Sequence, residues 1–127
     1  MRTLLALDVG NKRTGVAFAN EETGVPIALP TLHHSSYEAF RSQVLSVLRD
    51  RKISDLIVGL PLLPSGEEGE QVRTVRSFIE RLPVPSSVAL HYLDERYSTP
   101  PSSPGKNDPD MAAACAILDT YMHRENI

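Results

Sequence analysis

Three acidic residues stand where an α/β chain brings side chains together. Asp8 ends the apolar run in "LLALDVG", Glu95 with Asp94 ends "VALHYLDE", and Asp110 opens the last segment of helical pattern. Ligands of open α/β sheets bind outside the carboxyl ends of the strands. If the two apolar runs are strands that leave the sheet at one edge, Asp8 and Glu95 meet there, and Asp110 at a helix start can join them. Three carboxylates so placed repel one another and do not all ionise unpaired, a difficulty that a divalent cation removes. An all-oxygen donor set selects a hard ion, Mg²⁺ or Mn²⁺ rather than Zn²⁺. Such centres drive in-line displacement at phosphorus by activating water and stabilising the leaving oxygen. Taken singly, the same residues have plainer roles: Asp110 as a helix cap, Asp94 and Glu95 as turn acids, Asp8 as the ion-pair partner of Arg13. Spacing alone leaves both readings open.

Cations flank the acids. Lys12 and Arg13 follow Asp8 in the turn "GNKRT", where Gly10 permits a sharp bend and a close approach of ligand to backbone. Both can neutralise a phosphate, or Arg13 can pair with an acid. Arg96 follows Glu95, as a phosphate contact or a salt-bridge partner, and Lys106 precedes Asp110 by four residues. Gly59 and Pro61 of "GLP" shape another loop at the same edge, and "SGEEGEQVR" offers a helix N-terminus to an anion. Asp108 is read as a loop cap, with a place as a fourth ligand left open. The four histidines show no ligand spacing, and His33–His34 reads as the solvated end of a strand. Cys115 reads as a small buried hydrophobe; a single cysteine admits neither an internal disulfide nor a cysteine-rich zinc site.

The elements that must position these residues follow from hydrophobic period. Thr3 to Val9 is a covered central strand, Thr14 to Asn20 its hairpin partner, and "VPIALPTLHH" a third strand that Pro26 and Pro30 push to a sheet edge. Tyr37, Phe40, Val44, Val47 and Leu48 recur at helical spacing behind Ser35 or Ser36 as N-cap. Asp55 to Pro61 is a short buried strand. Val72, Val75, Ile79 and Leu82 mark a second helix, and Val88 to Glu95 a last strand. After a Pro/Ser/Gly-rich loop, a helix from Asp110 to about Arg124 shows Met111, Cys115, Leu118 and Met122 on one face. The order β-β-β-α-β-α-β-α predicts an α/β fold, a mixed sheet of about five strands with helices on both faces.

With 127 residues, no repeat and no internal boundary, one domain spanning 1–127 is expected. No apolar run approaches the roughly 20 residues that cross a bilayer, and the first ten residues lack a signal-peptide pattern, so a cytoplasmic protein without a membrane partner is expected. The net charge of −3 argues against a broad basic surface for nucleic acid. It leaves room for an enzyme with local positive charge.

"LALDVGNKRTGVAFA", "IVGLPLLPSGEEGEQVRTVRSFIERL", "YLDERYST" and "DMAAACAILDTYM" together resemble the YqgF/RuvX family, from about Met1 to Tyr121. That family contains Holliday junction resolvases and pre-16S rRNA nucleases of ribonuclease-H-like fold. The resemblance implies that Asp8, Glu95 and Asp110 hold the catalytic metal and that the chain is a metal-dependent nuclease. It implies a structured nucleic acid substrate: precursor 16S rRNA preferred, hence ribosome biogenesis, with four-way DNA as the alternative. Symmetric cutting of a junction calls for a homodimer, whereas RNA processing does not, so monomer and homodimer both stay open. The segment between "DERYST" and Asp110, "PPSSPGKNDP", is shorter than the family pattern and lacks its basic helix. That shortening leaves a non-catalytic RNA- or protein-binding role as a further alternative. "DVGNKRTGVA" also resembles the phosphate hairpin of sugar kinases, but 127 residues leave no room for their second lobe.

Overall fold

In the computed structural model the described residues are 1–95 and 108–127. The elements are β1 (Thr3–Val9), β2 (Arg13–Asn20), β3 (Ile27–His33), α1 (Tyr37–Asp50), β4 (Asp55–Leu60), α2 (Glu70–Glu80), β5 (Ala89–Asp94) and α3 (Pro109–Arg124). The strands form one five-stranded sheet in the order β3-β2-β1-β4-β5. β1, β2 and β3 pair antiparallel, while β4 runs parallel to both β1 and β5. The carboxyl ends of β1, β4 and β5 therefore open at one edge of the sheet. Proline-bearing β3 is indeed an edge strand.

Alternation along the strands divides the apolar residues between two faces. Leu5, Leu7 and Val9 pack with Val16, Leu56, Val58 and Leu60 against Phe40, Val44 and Leu48 of α1 and Val72, Val75 and Ile79 of α2. Leu4 and Ala6 pack with Ala17, Ala19, Ile57 and Leu93 against Ala114, Ile117, Leu118, Tyr121 and Met122 of α3. The second face is lined by small side chains, which lets α3 lie close against the sheet. The buried stripe of α3 differs from the expected one: Leu118 and Met122 belong to it, but Ala114, Ile117 and Tyr121 complete it, and Cys115 is only partly buried. A tight helix–sheet approach favours alanine and a tyrosine whose hydroxyl reaches a partner, which a search for large apolar residues overlooks.

Local signals explain the helix starts. Ser36 caps α1 by accepting from the Ala39 N–H at 3.1 Å. Asp108, rather than Asp110, caps α3, with Pro109 in the first turn, where a missing N–H costs nothing. His33 is exposed as expected, but His34 is 4% exposed. Its Nε2 lies 2.8 Å from the buried Thr14 hydroxyl, and its ring meets Phe40 edge-on at 5.3 Å. A solvated His34 is thus not what the chain builds: the step off β3 turns it inward, beneath the β1–β2 turn. Its backbone N–H donates to the Lys12 carbonyl at 3.0 Å.

Phe40 is fully buried between α1 and the sheet, in ring contact with His34, Tyr37 and Phe78. Phe40→Ala should lower the unfolding free energy in urea by about 3–5 kcal/mol.

Candidate functional site

Asp8 is the penultimate residue of β1. By alternation it lies on the α3 face, paired across the antiparallel ladder with Gly15. On its other side the parallel ladder pairs Leu7 with Val58, which brings Gly59 alongside Asp8. Both neighbours lack a side chain, and each absence is used. A Cβ on Gly15 would overlap the Asp110 carbonyl oxygen, and one on Gly59 would stand 2.8 Å from Cγ and Cδ of Glu95. The two glycines let the start of α3 and the Glu95 side chain close over Asp8 from either side.

The Asp8 and Glu95 carboxyl groups are hydrogen-bonded to each other. Burial raises the pKa of Asp8 above the ordinary range, and the negative charge of Asp110 raises it further. Glu95 is pushed up to about 7 by burial, by the charge of Asp8, by the proton it donates to Asp8 and by Asp94. Of the two, Glu95 is the one that holds on to a proton as pH rises toward neutrality. Asp110 is balanced differently: Arg13 Nε lies 3.0 Å from its Oδ2. Asp108 is occupied with capping, its Oδ1 accepting from the N–H of Asp110 (3.0 Å) and of Met111 (3.3 Å) and its Oδ2 from Thr31 Oγ1 (3.3 Å).

The fold thus unites Asp8 with Glu95 and brings Asp110 within electrostatic reach of Asp8. Arg13 pairs with Asp110 and not with Asp8. Lys12 is exposed on the hairpin turn, beside a cavity of about 520 Å³ that it lines with His33, His34 and Ser35. A neighbouring cavity of about 450 Å³ is lined by Gly10, Asn11, Glu70, Gln71 and Thr74. It faces the first turn of α2 toward the β1–β2 turn. Arg96 and Lys106 lie outside the described residues. Among the described residues, no three histidine, cysteine, aspartate or glutamate side chains stand close enough as placed to hold a metal ion. The chemistry of the donor set nonetheless suits a hard cation. Two half-buried carboxyls are hydrogen-bonded to each other where such a cation would bind, and a third carboxylate is held by the Arg13 guanidinium.

Sequence reasoning missed Gly15, Gly59 as the neighbour of Glu95, and the Thr14–His34 contact. A signal for the glycines was present, because glycine inside a strand often marks a close approach of backbone or ligand.

The Glu95 shift has a consequence for stability. Its ordinary value is 4.5 and its folded value about 7, so between those pH values the folded protein keeps a proton that the unfolded chain has lost. Stability of the metal-free protein should fall as pH rises through that window. Thermal unfolding followed from pH 5 to 8 should show a melting temperature several degrees lower at pH 8. Glu95→Gln, which cannot ionise, should flatten the dependence.

The profile of the RuvX family, described as Holliday junction resolvase, matches residues 2–124. A protein of a Sulfurihydrogenibium species named "Putative pre-16S rRNA nuclease" is 33% identical over 135 residues, spanning 98% of this chain and 92% of its own length. A protein of the same name from Rickettsia conorii is 28% identical over 130 residues, spanning 94% of this chain and 84% of its own. Among solved structures, Thermus thermophilus RuvC in complex with a Holliday junction substrate superposes with a TM-score of 0.66 at 13% identity, over 98% of this chain and 96% of that one. A Fowlpox virus resolvase in complex with Holliday junction DNA gives 0.61 at 10% identity, over 97% and 98%. At such identities these two similarities speak for the fold, which is that of the resolvases and hence ribonuclease-H-like.

Proposed function

The chain belongs to the RuvX family, whose description is Holliday junction resolvase, and from that premise we propose a divalent-cation-dependent nuclease with its centre at Asp8, Glu95 and Asp110. The observation that carries the proposal is the half-buried Asp8–Glu95 pair, hydrogen-bonded carboxyl to carboxyl beside a third acid. A purely structural site gains nothing from two carboxyls held against each other in low dielectric. A cation site does.

Asp8 and Glu95 would hold the ion, with Asp110 completing the set. Mg²⁺ or Mn²⁺ bound there would supply a nucleophilic water at neutral pH and charge stabilisation for the leaving oxygen. The chain's own part is to bind and orient the substrate. Arg13 beside Asp110 and Lys12 on the adjoining turn present cations to backbone phosphates, and Arg96 and Lys106 belong to the same proposed set. The first turn of α2, facing the Gly10–Asn11 turn across their shared cavity, adds backbone N–H groups of the kind that receive anions. The overall charge of −3 fits a protein that grips nucleic acid locally rather than along a broad basic face.

Structured RNA at the end of precursor 16S rRNA is the preferred substrate, supported by the names of relatives that align over nearly the whole chain. The site of action would be the cytoplasm, and a monomer suffices. Four-way DNA is the second reading, favoured by the family's own description. It requires a two-fold dimer, because a resolvase must cut two strands symmetrically.

Cleavage of end-labelled precursor rRNA, single-stranded RNA, single-stranded DNA and a four-way junction, with Mn²⁺, Mg²⁺ or EDTA, tests the proposal. Cutting should need the metal and should favour the precursor. Asp8→Asn should lose more activity than the roughly 10–100-fold that follows loss of an outer partner of a ligand. Its metal-free melting temperature should not fall, since the change relieves repulsion. Metal-independent cutting, or full activity of Asp8→Asn, would remove the proposed centre.

A further inference from the structure

The Arg13–Asp110 ion pair joins a fixed partner to a loose one. Asp110 is anchored: its N–H donates to Asp108, its carbonyl is packed where a Gly15 side chain would be, and its carboxylate is 23% exposed. Arg13, the first residue of β2, has a side chain that is 60% exposed. The pair borders a cavity of about 240 Å³, lined also by Thr31, His33, Asp108 and Pro109, so the guanidinium has open space to move into. Its charge is permanent, its fork geometry suits phosphate oxygens, and an ion pair this exposed is worth little.

We propose that Arg13 is the resident counter-ion of Asp110 and is displaced by the divalent cation, which frees the guanidinium for a backbone phosphate of the nucleic acid. The inference rests on the proposed cation centre. Without the cation, Asp8 and Glu95 are hydrogen-bonded to each other and the Arg13 guanidinium lies on Asp110. With its backbone held in place, Asp110 would turn only its carboxylate toward a cation shared with Asp8 and Glu95, and Arg13 would lose its partner at the mouth of the site. A single side chain then couples occupancy of the centre to the grip on substrate. The cation becomes a condition for substrate binding as well as for chemistry.

Calorimetric titration with Mn²⁺ on wild type, Arg13→Gln and Lys12→Gln tests the displacement without any cleavage readout. Arg13→Gln removes a competitor and should tighten Mn²⁺ roughly two- to fivefold. Lys12→Gln, the same change of charge one residue away, should tighten it less. In ¹⁵N-edited NMR the Arg13 Nε–H signal should move when Mg²⁺ is added, and inorganic phosphate should shift it further only with Mg²⁺ present. Equal Mn²⁺ affinities in wild type and Arg13→Gln, equal gains in the two variants, or a phosphate shift as large in EDTA as in Mg²⁺ would each overturn the displacement while leaving the centre standing. Absence of Mn²⁺ binding in all three proteins would overturn the centre and the displacement together.

Discussion

Holding the Asp8 carboxyl against that of Glu95, half withdrawn from water, is the constraint around which this fold is arranged. Two such groups in low dielectric do not both ionise, and bringing them together demands room that ordinary strand neighbours would fill. Gly15 and Gly59 provide it on the two sides of Asp8. The small residues Ala6, Ala17, Ala19 and Ala114 let α3 settle on the same face. The start of α3, tied down by Asp108 and Thr31, then carries Asp110 over β2. The placement of all three acids thus follows from a thin, small-residue face beneath one helix.

The opposite end of that face holds an instructive contrast. Asp55, at the start of β4, is likewise a carboxylate on the α3 side, and it is buried. Burial pushes its pKa up, yet hydrogen bonds from Arg2, Ser54 and His91 outweigh burial and hold it below the ordinary range. The Arg2 guanidinium also donates to the Tyr121 hydroxyl at 2.8 Å, so the network ties the residue preceding β1 to β4, β5 and α3. Asp55 is satisfied by cations and hydroxyls and is a structural staple. Asp8 is crowded by acids. Two aspartates on one face of one sheet are shifted in opposite directions by their partners, and the one whose neighbours among the described residues are acids invites a cation from outside.

Much of this was legible in the sequence, for physical reasons that can be named. Strands β1 and β4 are buried on both faces and read as continuous apolar runs. Pro26 and Pro30 announce the edge strand, and Ser36 announces the start of α1. The convergence of Asp8 and Glu95 follows from strand direction alone. What stayed hidden depends on contacts between distant segments. His34 looks like a polar strand end until Thr14 and Phe40 are known to meet it. Arg13 faced several acids, and only the path of α3 over Gly15 decides that its partner is Asp110. The buried stripe of α3 was misplaced because Ala114 and Tyr121 do their packing against a surface that periodicity cannot see.

A crystal structure grown with Mn²⁺ would locate the ion by its anomalous signal and so test whether the three acids form a cation centre. Mn²⁺ is expected to be bound by Asp8 and Glu95 without a hydrogen bond between them, with the Asp110 carboxylate turned from Arg13 toward the ion. Mn²⁺ bound elsewhere, or no Mn²⁺ with the Asp8–Glu95 bond and the Arg13–Asp110 pair intact, would contradict it.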